Sequence, residues 1–144
     1  GPMPAEKRAL LDQPILARAA RADGLTAADH RRAENARDAL GRHMAAFHDR
    51  YDLLLTPQLA VPPFEAGHNV PPGTGMTDWW EWSPFTYPFN LTQQPAATLP
   101  CGFTSDGRPV AAQIVARKFE ETKLIAASRA FEAAHPFRLP PLPV

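Results

Sequence analysis

An Asp-Gly pair between two apolar runs constrains the fold of this chain more than any other feature. Asp106-Gly107 lies within residues 105–108, and the flanking runs are Ala97 to Phe103 and Pro109 to Ala116. Glycine supplies the positive φ that a tight hairpin turn needs, so the two runs are predicted to be antiparallel neighbouring strands. Residues 110–115 are apolar at all but one position, which is typical of a strand covered on both faces.

Apolar residues recur at three- and four-residue steps in two longer segments, as they do in helices. Thr26 is suited to the N-cap of the first helix, with Asp29 reaching back to the cap amide and the helix running to about Arg50. The apolar residues of this helix predict one buried stripe: Ala33, Ala36, Leu40, Met44, Phe47 and Tyr51. The other predicted helices span Glu6 to Leu11, Pro14 to Ala22 and Glu121 to Ala134, and the last of these is expected to pack on the hairpin.

A third strand is predicted at Tyr51 to Thr56, because three leucines follow one another and Pro57 stops the hydrogen-bond ladder. Residues 58–75 are rich in proline and glycine and predict a long loop. Phe137 to Val144 predicts an extended, proline-rich tail. The predicted fold is α/β, with the three strands in one mixed β-sheet flanked by the helices at 26–50 and 121–134.

The aromatic segment from Trp79 to Phe89 is the least generic part of the chain. Thr77 or Asp78 is suited to cap a helix over Trp79 to Ser83 that resumes after a kink at Pro84. On such a helix Trp80, Ser83 and Tyr87 share one face, at positions i, i+3 and i+7. Aromatic residues at this spacing either belong to ordinary core or line a binding pocket, and the spacing leaves both readings open.

Composition excludes several classes of function. The 15 basic and 15 acidic residues give a net charge of zero, which disfavours binding to nucleic acid or to an anionic membrane. No apolar run has the length of a membrane span. The single cysteine, Cys101, rules out an internal disulfide and favours the cytoplasm; its position in a predicted strand indicates a buried structural thiol.

Metal and cofactor sites find no support in the residue spacing. His43 and His48 are five residues apart and fall on different faces of their helix, and the other histidines are scattered without cysteine partners. The Gly73-Thr74-Gly75 stretch lacks the preceding strand and following lysine of a phosphate loop. We therefore expect neither a metal nor a cofactor.

A series of motifs in order gives the chain a specific resemblance. They are Tyr51 to Pro57 (YDLLLTP), Phe85 to Asn90 (FTYPFN), Gln94-Pro95-Ala96, Leu99-Pro100 with Gly102, Asp106-Gly107, Pro109-Val110 and Gln113-Ile114-Val115. In these residues the chain resembles the C-terminal portion of the amidase signature family. The resemblance implies a share of an α/β/α sandwich around a mixed sheet, and hydrolysis of carboxamide C–N bonds. It also implies that Trp80, Ser83 and Tyr87 line the acyl side of a substrate pocket.

The catalytic residues that the resemblance implies are absent from this sequence. Family members use a serine nucleophile, a second serine in a cis peptide and a lysine, whereas Ser83, Ser105 and Ser128 stand outside any glycine- and serine-rich motif. We therefore expect no catalytic residue here and no amide hydrolysis by this chain alone. The expected partners are an N-terminal amidase segment and a small-molecule amide. The alternative is a truncated or standalone module that binds a partner chain without catalysis.

Two further expectations concern the organisation of the chain. Gly1-Pro2-Met3 resembles a tag remnant, which leaves residues 4–144 as a single α/β unit. A homo-oligomer, such as the dimers common in the family, would cover the apolar face that the N-terminal part of a complete enzyme would otherwise cover.

Three positions depart from the glycines of the family pattern: Gln93, Ala111 and Ala116. Arg108 likewise replaces the usual apolar residue of the turn. Because glycine is kept where φ is positive or where another backbone comes close, these departures indicate relaxed packing or a divergent subgroup.

Overall fold

The computed structural model describes residues 3–137, which divide into two compact units with the boundary between Ala36 and Arg37. The elements are α1 (Ala5–Ala9), α2 (Gln13–Ala20), α3 (Ala27–His48), β1 (Leu53–Pro57), a 3-10 turn (Trp79–Glu81), α4 (Tyr87–Thr92), β2 (Ala96–Phe103), β3 (Pro109–Ala116) and α5 (Glu121–Ala134). Within residues 3–137, no helix combines the length and apolar character that crossing a membrane requires. The predicted tail from Phe137 to Val144 lies, beyond its first residue, outside the described residues.

The first unit contains α1, α2 and the first part of α3, whose start is fixed by a reciprocal cap. The Thr26 amide donates to the Asp29 carboxylate at 2.8 Å, and the Asp29 amide donates to the Thr26 hydroxyl oxygen at 3.2 Å. Hydrogen bonds from the Thr26 hydroxyl and amide lower the pKa of Asp29. The predicted N-cap is confirmed, and such caps stabilise a helix by satisfying amides of its first turn.

The second unit is built on a three-stranded sheet in the order β1-β3-β2. Both pairings are antiparallel, and Ile114 of β3 lies between Leu55 of β1 and Ala97 of β2. The α/β class and the antiparallel hairpin are confirmed. Among residues 3–137 the strand pairings are uniformly antiparallel, so the mixed directions expected of the sheet are not represented in this part of it.

The core lies between one face of this sheet and α5. Its buried members are Leu99, Ile114, Ala116 and Leu124, and Leu53, Ala97, Ala127 and Phe131 pack around them. Gln113 to Ala116 are all buried, so both faces of this half of β3 are covered, as predicted. Helix α5 has the predicted bounds and packs on the hairpin because Leu124, Ala127 and Phe131 share one side of it.

Cys101 is exposed, so the prediction of a buried thiol is wrong. The register of β2 against β3 shifts between Pro100 and Gly102, which leaves Cys101 as the extra residue of a β-bulge. A bulge interrupts the alternation of inward and outward side chains and turns the extra residue away from its expected face. The Cys101 thiol contacts the Val110 carbonyl oxygen at 3.6 Å.

The predicted stripe along α3 is only partly covered. Leu40, Met44 and Phe47 are half-buried, whereas Ala33, Ala36 and Tyr51 are exposed. The buried residue of this helix is instead His48, which sequence periodicity did not single out. Its Nδ1 contacts the Tyr51 carbonyl oxygen at 3.0 Å and its Nε2 contacts the Gln94 amide nitrogen at 2.8 Å, so hydrogen bonds satisfy a polar ring in the interior.

The turn of the hairpin spans residues 104–108 and is held by an ion pair between Asp106 and Arg108. Gly107 has φ +83°, as the Asp-Gly signal requires. The hydrogen bond from Arg108 and then that from Thr104 lower the pKa of Asp106 to about 2. The Arg108 guanidinium also donates to the Pro63 carbonyl oxygen at 2.5 Å, so this departure from the family pattern ties the turn to the long loop.

Gln93 ends α4 in the left-handed conformation, with φ 57° and ψ 38°. This explains why the family pattern has glycine there, because a Cβ costs about 1–2 kcal/mol in that conformation. Gln93→Gly is therefore expected to raise the free energy of unfolding by about 0.5–1 kcal/mol, after the greater freedom of glycine in the unfolded chain is deducted. Denaturant unfolding of both proteins measures the difference.

Gln93→Ala is the matched control for this substitution. It removes the hydrogen bond that Lys118 donates to the Gln93 side chain at 2.7 Å, but it keeps the Cβ. The glycine variant is expected to be more stable than the alanine variant. Equal stability of the two would show that the backbone at Gln93 is not strained.

Candidate functional site

The aromatic segment begins with a 3-10 turn, Trp79–Glu81, whose first residues are held by a capping box. The Trp80 amide donates to the Asp78 carboxylate at 3.3 Å, and the amides of Thr77 and Asp78 both donate to Glu81 Oε1 at 2.9 Å. Asp78 is thus the cap, one of the two predicted. The helix predicted over Trp79 to Ser83 is present only as the 3-10 turn Trp79–Glu81, and Ser83, which precedes Pro84 and is therefore disfavoured in the helical conformation, lies outside it.

Trp80 and Tyr87 are in contact, whereas their role in lining a pocket stays a prediction. Their ring centroids are 4.6 Å apart at an interplanar angle of 80°, and Trp79 stacks on Trp80 at 4.1 Å. Tyr87 is the first residue of α4, so the contact joins two elements across a turn and not two positions of one helix face. We call the Trp79, Trp80 and Tyr87 rings the aromatic corner.

Ser83 lies beside this corner but is only 5% exposed. Its hydroxyl donates to the Trp79 carbonyl oxygen at 3.1 Å, and its own carbonyl accepts from the Thr86 hydroxyl at 3.0 Å. These bonds shape the turn between Trp79 and Thr86. Contact of the Ser83 hydroxyl with a substrate stays a prediction.

Trp82 connects the aromatic segment to the preceding long loop. Its indole N–H donates to the Asn69 carbonyl oxygen at 2.8 Å, and its ring meets the Phe64 ring edge-on at 5.5 Å. The Ala60 amide donates to the Trp82 carbonyl oxygen at 3.2 Å. Three contacts at separated points therefore hold the loop against the segment.

The sequence pattern did not single out the residue that ties the aromatic segment to the sheet. Gln113 of β3 is buried, and its side-chain nitrogen donates to the Phe85 carbonyl oxygen at 2.8 Å and to the Thr56 hydroxyl oxygen at 3.1 Å. The available signal was a single polar residue in an otherwise apolar strand. A buried amide requires partners, so that residue had to meet some polar group.

The Glu81 carboxylate is held in its charged form by the turn that it caps. Hydrogen bonds from the Thr77 amide and then from the Asp78 amide lower its pKa below the ordinary value of 4.5. A group with a lowered pKa stabilises the fold fully above its unfolded pKa, and this contribution is lost as the pH falls through the folded pKa. Glu81→Gln is therefore expected to lower the melting temperature at pH 7 and to have a smaller effect as the pH falls below 4.5.

Melting curves of the wild type and of Glu81→Gln between pH 3 and pH 7 test this dependence. Glu132→Gln, on an exposed position of α5, is the control and is expected to show no comparable convergence. A melting difference for Glu81→Gln that stays constant across the range would contradict the capping role of the charge.

A separate groove of about 520 Å³ lies among the C-terminal part of α3, the end of α4 and the β3–α5 connection. Four basic residues line it: Arg37, Arg42, Arg117 and Lys118. Arg117 pairs with Asp49 at 2.8 Å, and Gln94 forms part of the wall by donating to the Ala116 carbonyl oxygen at 3.1 Å. In the part of the chain that is described, no three His, Cys, Asp or Glu side chains are placed to share a metal ion.

Comparison with known proteins assigns this chain to a family. The sequence model of the family described as Amidase matches residues 3–125. The chain belongs to the amidase family. It corresponds to the C-terminal portion of amidase signature enzymes, as the motifs around the aromatic corner implied.

Among amidase relatives, the acylamidase of Rhodococcus erythropolis is 36% identical over 123 residues, which are 81% of this chain and 25% of that protein. The amidase of Pseudomonas putida is 34% identical over 115 residues, which are 78% of this chain and 24% of that protein. This chain therefore spans about a quarter of the length of the curated relatives that it matches.

Solved amidase structures share the fold. A bacterial aryl acylamidase of the amidase signature family superposes with a TM-score of 0.78 and 28% identity, over 92% of this chain and 28% of that one. The 6-aminohexanoate cyclic dimer hydrolase superposes with a TM-score of 0.76 and 27% identity, over 94% of this chain and 30% of that one. The α/β fold of this segment is thus the one that amidase signature enzymes have.

Proposed function

We propose that this chain is the part of an amidase that supplies scaffold and one wall of the substrate pocket. The reaction of the complete enzyme is hydrolysis of the C–N bond of a carboxamide. The family match over residues 3–125 carries the proposal. The aromatic corner supports the choice of wall, because it is the place where predicted pocket residues, Trp80 and Tyr87, come into contact.

The chemistry of the wall favours an aromatic or otherwise flat apolar group in the substrate. Trp80 and Tyr87 are both half-buried, so their rings keep some accessible surface. Edge-to-face aromatic contacts contribute about 0.5–1.5 kcal/mol beyond area burial, which is enough to select such a group. Two of the proteins similar to this chain are named acylamidase and aryl acylamidase, so an aryl amide is the substrate class to assay first.

In this proposal the catalytic serines and lysine lie outside the chain. The hydroxyl of Ser83 donates to the Trp79 carbonyl oxygen, and that of Ser128 donates to the Leu124 carbonyl oxygen at 2.9 Å within α5. Both hydroxyls thus donate to backbone carbonyls and not to the side-chain base that an activated serine needs. The Lys123 ammonium is engaged by Asp52 at 3.0 Å and by Glu120 at 2.8 Å. An N-terminal amidase segment would supply the nucleophile, its base and the oxyanion donors.

Self-association is part of the proposal. Leu55, Phe119 and Ile125 are 67%, 81% and 57% exposed, and exposed apolar side chains of this size favour contact with a second surface. A homodimer would cover some of them, and analytical ultracentrifugation over a range of concentrations would detect it. The cytoplasmic location stays a prediction, which fractionation of the source cells would test.

The proposal is tested against its alternative, a non-catalytic module, by the DNA upstream of the codon for Met3. The absence of a glycine- and serine-rich motif from this sequence is what favours the alternative. An in-frame upstream segment that encodes such a motif is expected if the chain is part of an amidase. A ribosome-binding site directly before that codon would instead support the standalone module.

A further inference from the structure

We propose that Gln113 is a positioning residue that sets the geometry of the aromatic corner through the backbone of Phe85. The importance of this role for substrate rests on the proposed function, but the positioning itself does not. Gln113 lies in the central strand β3, which is the best-covered part of the sheet. The strand is therefore a rigid element to which the turn that carries the aromatic corner can be anchored.

The side chain of Gln113 leaves the face of the sheet opposite to the α5 core. Successive side chains of a strand point to opposite faces, and its neighbour Ile114 packs against α5. In register, Gln113 lies between Thr56 of β1 and Thr98 of β2, so a row of three polar side chains crosses the sheet on this face. Gln113 is the member of the row that reaches the aromatic segment.

The chemistry of the contact fixes the orientation of the amide. The Phe85 carbonyl oxygen accepts but cannot donate, so the group 2.8 Å from it must be the NH2 of Gln113 and not its carbonyl. The second hydrogen of the same NH2 is directed to the Thr56 hydroxyl oxygen at 3.1 Å. Both donors of one buried nitrogen are therefore used, one to the sheet and one to the turn.

Phe85 lies midway between Ser83 and Tyr87, where the chain passes from the 3-10 turn to α4. A carbonyl anchored here fixes the direction in which α4 begins, and with it the position of the Tyr87 ring, whose centroid is 4.6 Å from that of Trp80. A part-buried carbonyl that loses its donor is destabilising, so the turn would move to find another partner. Loss of the Gln113 amide should therefore change the structure of the aromatic corner more than that of the sheet.

The test uses the purified chain with Gln113→Leu and Gln113→Met, which keep the approximate volume, carry no charge and cannot donate a hydrogen bond. Thr56→Val is the matched control, because it removes the other partner of the same nitrogen and leaves the bond to Phe85 in place. The readouts are far-ultraviolet circular dichroism for the fold, near-ultraviolet circular dichroism for the stacked Trp79 and Trp80 rings, and acrylamide quenching of tryptophan fluorescence.

Both Gln113 variants are expected to keep the far-ultraviolet spectrum and to lose the near-ultraviolet signal, and acrylamide should quench their tryptophan fluorescence more readily. Thr56→Val is expected to match the wild type in all three measurements. A folded Gln113→Met with the wild-type near-ultraviolet spectrum would overturn the inference, as would equal loss in Thr56→Val. If both Gln113 variants unfold, the residue is a general core residue and the positioning role is wrong. None of these readouts depends on turnover, so failure of the amidase proposal is distinguishable.

Discussion

Incubated by itself with an aryl amide, this chain is expected to give no hydrolysis above the uncatalysed rate. Serine hydrolases that lose their nucleophile but keep the rest of the site retain only about 10³–10⁴-fold over water. Here the glycine- and serine-rich motif and the upstream lysine are missing together, so even that remainder should be absent. The rate of hydrolysis is measured from the release of the aryl amine, which is monitored by absorbance over hours at high protein concentration.

Ser83→Ala and Ser128→Ala decide the meaning of any turnover that is seen. If hydrolysis occurred and either variant abolished it, that serine would be a nucleophile and the location of catalysis outside the chain would be wrong. Hydrolysis that persisted unchanged in both variants would point to a contaminating amidase. Because both hydroxyls donate to backbone carbonyls, neither variant is expected to change the result.

Ile114→Ala is expected to lower the free energy of unfolding of the second unit by about 2–5 kcal/mol, the cost of removing a buried aliphatic side chain and leaving a cavity. Ile114 is 5% exposed and packs with Leu99, Ala116 and Leu124 at the centre of the sheet. Domains are stable by only about 5–15 kcal/mol, so this one substitution would remove a large share of the total. The midpoint of chemical unfolding measures the loss.

Leu55→Ala is the matched control for Ile114→Ala. Leu55 is the direct partner of Ile114 in the register of β1 against β3, yet it is 67% exposed. Its truncation should lower the free energy of unfolding by less than about 1 kcal/mol, because substitutions away from the core change stability little. An equal loss for both variants would mean that β1 is covered in solution, which self-association would explain.

The sequence predicted the elements whose signals are local. Asp106-Gly107 marked the hairpin because only particular residues suit its turn, and Thr26 with Asp29 marked the start of α3 because the cap is made of their own side chains. The family resemblance grouped Trp80 with Tyr87, and their rings are in contact, although not on the single helix face that the spacing predicted.

The remaining features depend on the local detail of packing, which spacing does not contain. The exposure of Cys101 follows from a bulge after Pro100, and a bulge has no sequence signal as definite as a hairpin turn. The helix predicted over Trp79 to Ser83 is shortened to a 3-10 turn, Trp79–Glu81, because Pro84 disfavours the helical conformation at Ser83. The partner of Gln113 lies 28 residues away in the chain, so only the folded arrangement identifies it.

The central claim, that this chain is one wall of an amidase pocket whose catalytic residues lie in another segment, is tested most directly by adding that segment. A separately produced N-terminal amidase segment with the two serines and the lysine is mixed with this chain, and aryl amide turnover is measured for each part and for the mixture. Turnover is expected in the mixture alone, with a changed preference between aryl and alkyl amides when the chain carries Trp80→Ala. A stable complex of the two parts without turnover would contradict the claim.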